Sequence, residues 1–218
     1  MIHYVIEGVA LSGKRTVLKT LADLDPKAKW QNWQCNLAPD SVLYLPGGLR
    51  WADEDRMQGE AYRLNNRGTF LGRLHEASSV MALMRAKNLR VTKCIHDGGL
   101  LESMAVNIPE LPFKTSLKMI EFALYDNLPA KIAILQVDKN ALYDRIDSLD
   151  SWPRNHKKED LVEWLLTIQD YILSISERLK DLDWPTELKM IDARQPVERI
   201  AKEAADFFKV TISNDEVA

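Results

Sequence analysis

Cysteine is scarce in this chain: Cys35 and Cys94 are the only two among 218 residues. Two thiols so far apart in sequence make neither a disulfide framework nor a metal-ligand pattern, and they read as reduced, buried groups. Long apolar runs are also missing, and none approaches the ~20 residues that a membrane span requires. Residues 1–6 carry neither the basic region nor the long apolar stretch of a secretory signal. A cytoplasmic domain is therefore expected. Excess positive charge is absent as well. The 29 Lys and Arg against 32 Asp and Glu leave a formal net charge of −3, which gives no general attraction to nucleic acid or an acidic membrane. Any polyanion must be met by a local basic site. What the chain does have is ordinary globular material, 46 % hydrophobic and 28 % charged. That is enough to bury one sizeable core and too apolar for disorder. No repeat or low-complexity tract interrupts it. The expectation is one domain over residues 1–212 with a loose tail at 213–218.

Strand and helix patterns alternate along the chain. Residues 2–6 form a β-branched and aromatic run suited to a buried strand. Gly8 and Gly13 punctuate a turn, and from Lys14 the apolar positions take helical spacing through Val17, Leu18, Leu21 and Leu24. Asp25-Pro26 stops that helix. Further strands are expected at 41–45 before Pro46-Gly47-Gly48, at 91–95 before His96-Asp97-Gly98-Gly99, at 131–137 and at 188–191. Helices are expected at 71–87, 116–124 and from 140 to 146. A long amphipathic helix follows, with Leu161, Trp164, Ile168, Tyr171, Ile175 and Leu179 in register. A last helix opens at Pro196 and runs through Val197, Ile200, Ala204 and Phe207. Residues 49–69 are polar and carry no pattern that places an element. Strands alternating with helices predict a parallel sheet with helices on both faces.

The first turn carries chemistry. It reads Gly8-Val9-Ala10-Leu11-Ser12-Gly13-Lys14-Arg15-Thr16, and Gly8 with Gly13-Lys14 satisfies the G-x-x-x-x-G-K part of a phosphate-binding loop between strand and helix. Glycines let backbone N–H groups converge on phosphate oxygens, the helix N-terminus adds positive potential, and a lysine reaches the β- and γ-phosphates. Gly8, Ser12, Gly13, Lys14, Arg15 and Thr16 are the candidate ATP-phosphate residues. Arg15 stands where a Ser or Thr hydroxyl ordinarily ligates Mg²⁺, and Thr16 follows one residue later. The plainer reading is a glycine turn with Lys14 in solvent.

With these residues in view, the chain resembles the thymidylate kinases, a family of phosphate-loop nucleoside monophosphate kinases. The likeness is scattered in order along nearly the whole chain. Val5-Ile6-Glu7-Gly8 and Gly13-Lys14 resemble the opening I-E-G-x-D-G-x-G-K, and Pro46-Gly47-Gly48 resembles the R-E-P-G-G turn. Asp97, Ser103, Ala105 and Asn107 resemble the spacing of D-R-x-x-x-S-T-x-A-Y-Q. Pro129 to Val137 with Ala141-Leu142-x-x-Arg145-Ile146 resembles the P-D-L-T-L-x-L-x-V strand and its helix. Ile191-Asp192-Ala193-x-Gln195-Pro196-x-Glu198 resembles the I-D-A-x-Q-P-x-E ending.

The resemblance implies a three-layer P-loop kinase fold, α/β, with a parallel five-stranded sheet, helices on both faces and a lid at about residues 147–158. It implies ATP as phosphoryl donor and Mg²⁺ as cofactor. Lys14, Asp97 and Arg154 would be catalytic, with Arg154 acting from the lid, and Thr16 and Asp97 would bear on the metal. Phe70, Arg73 and Asn107 would meet the acceptor's base. It also implies a homodimer joined through helices, for which Leu74, Met81 and Met84 offer a face. The departures fall on the acceptor side: Ala10 for the loop's acidic residue, Gly98 for the arginine of D-R, and Tyr44-Leu45 for R-E. A monophosphate acceptor wants bidentate guanidinium partners. The acceptor expected is therefore a pyrimidine deoxynucleotide or a modified relative, such as a hydroxymethylated pyrimidine, free or within DNA. The alternative is a catalytically impaired relative that binds nucleotide or serves assembly. A deoxynucleoside kinase shares the loop and sheet but wants an acidic base after strand two and an arginine-rich lid, neither of which is evident. Several residues keep bland readings: Asp97 as a turn or helix-cap residue, Arg154 as part of a solvated loop, His75 and His96 as structural. Trp30, Trp33 and Trp51, around the poorly patterned region 27–69, are the least explained of the six tryptophans.

Overall fold

The computed structural model describes residues 2–25, 28–30, 42–45, 93–98, 100–107, 113–124, 128–147 and 157–212. Strand β1 (Ile2–Glu7) passes through a turn into helix α1 (Lys14–Leu24), and short strands β2 (Ala28–Trp30) and β3 (Val42–Leu45) follow. Strand β4 (Lys93–Asp97) leads to α2 (Leu100–Asn107) and α3 (Phe113–Leu124). Strand β5 (Lys131–Gln136), α4 (Lys139–Asp147), α5 (Lys158–Asp181), β6 (Glu187–Asp192) and α6 (Val197–Phe208) complete the described order.

The strands form one sheet in the order β2-β3-β4-β1-β5-β6, and every neighbouring pair is parallel. The sheet thus has six strands where the resemblance implies five. The additional edge strand is β2, three residues with a lysine at the centre, too short for hydrophobic periodicity to reveal. Buried parallel strands show continuous apolar runs, because both faces are covered. β5 is the clearest case, with Ile132, Ala133, Ile134 and Leu135 all fully buried.

Side chains two apart on a strand share a face, so Tyr4 and Glu7 point to opposite sides of β1. The Tyr4 ring stacks on Phe208 of α6 at 5.0 Å, and Glu7 meets the first amides of α2. One layer therefore holds α6, which packs on α1, and the other holds α2, which packs on α5. The expected helices on both faces are present. α5 is further pinned to the sheet by Gln169. Its amide accepts from Val137 N at 2.8 Å and donates to Val137 O at 2.9 Å, satisfying a buried peptide just past the end of β5.

The long helix corrects one detail of the sequence pattern. Ile168, Ile175 and Leu179 are buried together with Val162, Leu165 and Ile172, whereas Trp164 and Tyr171 are 50 % and 41 % exposed. A seven-residue step returns a side chain to about the same face of a helix, so the two aromatics form their own outward stripe. The helix expected at 71–87 lies outside the described residues. Helix α2 was not anticipated, and no described helix is long and apolar enough to cross a membrane.

Candidate functional site

β1 sits at the middle of the sheet with β4 on one side and β5 on the other. Ligands of open parallel sheets collect beyond the carboxyl ends of the strands where the order reverses, and the turn after β1 lies there. Gly8 has φ 143° and Gly13 φ 94°, a region costly for any residue with a Cβ. A Cβ on Gly8 would stand 2.7 Å from Ser12 Oγ and 2.8 Å from Leu135 O, so only glycine lets the chain pass this close to β5. Leu11 also has a positive φ, 66°. Gly13 caps α1, which has no side-chain cap and no acidic residue in its first turn. The positive end of that helix is left uncompensated by its own side chains, and this favours an anion.

The Lys14 ammonium lies back across the loop. It donates to Gly8 O, to Val9 O at 2.9 Å and to Glu102 Oε2 at 3.2 Å. Glu102 stands in the first turn of α2. On the same side, the fully buried Glu7 accepts through Oε1 from Leu100 N at 2.6 Å and Leu101 N at 3.2 Å. The cap of α2 is thus a carboxylate from β1, while Asp97 itself ends β4. Burial pushes the Glu7 carboxyl up to about 7; Lys14 and the two amides lower it, and Glu102 adds to the rise. Glu7 Oε2 and Ser12 Oγ, both buried beside the loop, have no hydrogen-bond partner among the described residues.

Gly98 explains one departure from the family pattern. A Cβ there would lie 2.4 Å from Val5 Cγ1 and 3.0 Å from Glu7 Oε1, and Val5 is β-branched and stiff. Gly98→Arg, which restores the family's residue, is expected to cost about 1–3 kcal/mol of stability from overpacking and to add nothing to turnover. Urea unfolding of the variant beside the parent checks this.

Arg145, matched by the sequence pattern but given no role there, braces the loop from α4. Its guanidinium donates to Leu11 O at 2.8 Å and Ala193 O at 2.6 Å, joining the turn after β1 to the turn after β6. Burial lowers its proton affinity, partly offset by Asp138. A planar fork spans two carbonyls where an ammonium cannot. Arg145→Lys is expected to lose about 1–2 kcal/mol and to raise amide exchange in residues 9–13, read by mass spectrometry.

The other candidates are distributed as follows. Gly8, Ser12, Gly13 and Lys14 converge on the loop. Arg15 and Thr16 are exposed on the first turn of α1. Asp97 is half-buried at the end of β4, paired in register with Ile6. Asn107 ends α2, and its side chain lies outside the described residues, as do Phe70, Arg73 and Arg154. The ends of the expected lid are tied together by Lys158 Nζ and Asp147 Oδ2 at 2.5 Å. His96 stacks on His3 with ring centroids 4.5 Å apart. Burial and the neighbouring His3 hold it well below the usual imidazole range, consistent with the structural reading. Cys94 is a buried thiol, its proton affinity raised by burial. The sequence names Glu7 only as the E of the I-E-G match and Glu102 not at all; the signal for Glu7 was a carboxylate at the end of an otherwise apolar, doubly covered strand.

No protein-family profile matches the chain, and no curated protein matches it. Solved structures do. Deoxyadenosine kinase from M. mycoides with bound dATP superposes with a TM-score of 0.53 at 17 % identity, over 96 % of this chain and 100 % of its own. The same kinase with dCMP and dCDP bound gives 0.49 at 17 %, over 95 % and 99 %. At this identity the first likeness shows a shared fold, that of a P-loop kinase.

Proposed function

We propose that this chain is an ATP-dependent kinase that passes the γ-phosphoryl group to a nucleoside or nucleotide. The observation that carries the reading is Lys14. Its ammonium lies at the mouth of a glycine-bounded loop, and the helix behind it keeps its N-terminal dipole free of its own acidic side chains. Phosphoryl transfer depends mainly on positioning and charge stabilisation, and a cation, convergent amides and a helix N-terminus supply both. Lys14 and the loop amides would hold the β- and γ-phosphates, Arg154 would add charge from the lid, and Asn107, Phe70 and Arg73 would meet the acceptor's base.

Magnesium is a fit for the donors present. No three His, Cys, Asp or Glu side chains cluster as a metal cage among the described residues. A magnesium ion carried by nucleotide phosphates needs only one or two protein oxygens, and Asp97 and Thr16 are of the right chemistry. When bound, it would neutralise charge building on the phosphate oxygens.

For the acceptor, the thymidylate-type pattern supports a pyrimidine deoxynucleotide or a hydroxymethylated pyrimidine, free or in DNA. The missing phosphate clamps at Ala10 and Gly98 favour an acceptor without a phosphate of its own. The structural likeness to a deoxyadenosine kinase points the same way. ATP turnover with Mg²⁺ over deoxynucleosides, dTMP, dUMP, hydroxymethylated deoxyuridylate and DNA carrying that base separates these. Turnover with nucleosides alone supports the clampless site, and turnover with dTMP supports the thymidylate type. ATP binding without turnover would favour the second reading, a non-catalytic nucleotide-binding relative, which the exposed Arg15 at the usual hydroxyl position supports.

A further inference from the structure

Glu102 is the one carboxylate in contact with the loop lysine among the described residues. It stands at the serine position of the D-R-x-x-x-S-T-x-A-Y-Q pattern, which it does not match. Its Oε2 is 3.2 Å from Lys14 Nζ, and the two side chains are only 20 % and 14 % exposed. The pair is therefore sheltered from the solvent screening that makes surface pairs weak. Lys14 also spends its remaining donors on Gly8 O and Val9 O. An ammonium has three donors, and all three are taken inside the protein. A phosphate arriving at the loop meets a lysine already satisfied.

We propose that Glu102 is a positioning residue that holds Lys14 in a resting place and competes with nucleotide phosphate for it, so that a triphosphate binds by displacing the Glu102 carboxylate. The inference rests on the phosphate-binding reading of Lys14. The local charge balance supports it. Two carboxylates, Glu7 from β1 and Glu102 from α2, act on the cation Lys14 from α1, and Glu7 leaves Oε2 without a hydrogen-bond partner among the described residues. The pairing is also long-range, joining residues 88 apart in sequence, so it ties α2 to the loop. The apparent affinity of a ligand is reduced by the fraction of protein already in the competent state. If the resting pair holds Lys14 about nine-tenths of the time, releasing it gains about tenfold.

The test is isothermal titration of the full chain with ATP, inorganic tripolyphosphate and adenosine, using the parent, Glu102→Gln, Lys14→Ala and the double variant. Thermal melts of each confirm folding. The expected result is that Glu102→Gln binds ATP and tripolyphosphate about five- to tenfold more tightly, leaves adenosine unchanged, and has no effect once Lys14 is alanine. Equal or weaker triphosphate binding by a folded Glu102→Gln, while Lys14→Ala still loses affinity, overturns the competition and leaves the phosphate reading standing. A tightening that extends to adenosine also overturns it, because the effect would then be structural. If Lys14→Ala binds ATP as well as the parent does, the phosphate reading itself fails and the inference falls with it.

Discussion

Lys14→Ala is expected to lower ATP-dependent phosphoryl transfer by about 10²–10³-fold, the usual cost of removing one preorganised donor from developing charge. The loop should survive. Its shape is set by Gly8 and Gly13 at positive φ, by the Ser12 N to Val9 O turn at 3.1 Å, and by Arg145 from outside, none of which uses the lysine. The variant does strand Gly8 O, Val9 O and the Glu102 carboxylate. Gly8 and Val9 are buried and Glu102 is largely sheltered, so the stability loss should reach about 1–3 kcal/mol. Steady-state turnover with ATP binding and a thermal melt on the same preparation distinguishes the two effects. Unchanged turnover in a folded variant would remove Lys14 from the chemistry.

The second large effect concerns Glu7 and pH. Its folded carboxyl is pushed up to about 7 from 4.5, chiefly by burial. The folded state therefore binds more protons than the unfolded chain between those values, and stability falls as pH rises through this window. The contribution is fully present below pH 4.5 and lost by about pH 7, some ~3 kcal/mol in all. Glu7→Gln keeps an oxygen for the Leu100 and Leu101 amides but cannot ionise. It is expected to gain stability over the parent progressively from pH 5 to pH 8, measured as urea midpoints at intervals across the range. A parent-to-variant difference that stays constant with pH would show that another group titrates. His96 works in the opposite sense. Its depressed proton affinity makes the fold lose stability as pH drops below 6.5, so the variant isolates Glu7 from it.

These two residues show where sequence reading reaches its limit. The loop around Lys14 was legible because its signal is local: a strand, two glycines at a fixed interval, a lysine and a helix within a few residues of one another. Glu7 lies seven residues upstream and was legible in the sequence only as the E of the I-E-G match, since what makes it unusual is burial and the amides of α2. The resemblance matches Asp97 to the acid of the D-R pair and leaves Gly98 where its arginine stands. The structure supplies a reason: β1 and its Val5 side chain come within 2.4 Å of where a side chain would begin. Trp164 and Tyr171 fit the apolar rhythm of α5 yet lie outside it, because helical spacing orders side chains on faces without saying which face is covered.

By itself, the sequence determined the alternation of strands and helices, the glycine-bounded turn after the first strand, and the apolar runs that make the strands of a parallel sheet. Each of these depends on side-chain periodicity or backbone freedom within a few residues. The tertiary structure alone decided the sixth strand, the capping of α2 by Glu7, the pairing of Lys14 with Glu102, and the brace from Arg145 to Leu11 across 134 positions. Those contacts join segments that only the folded sheet brings together. Their chemistry follows from burial and neighbouring charge, which no local spacing encodes.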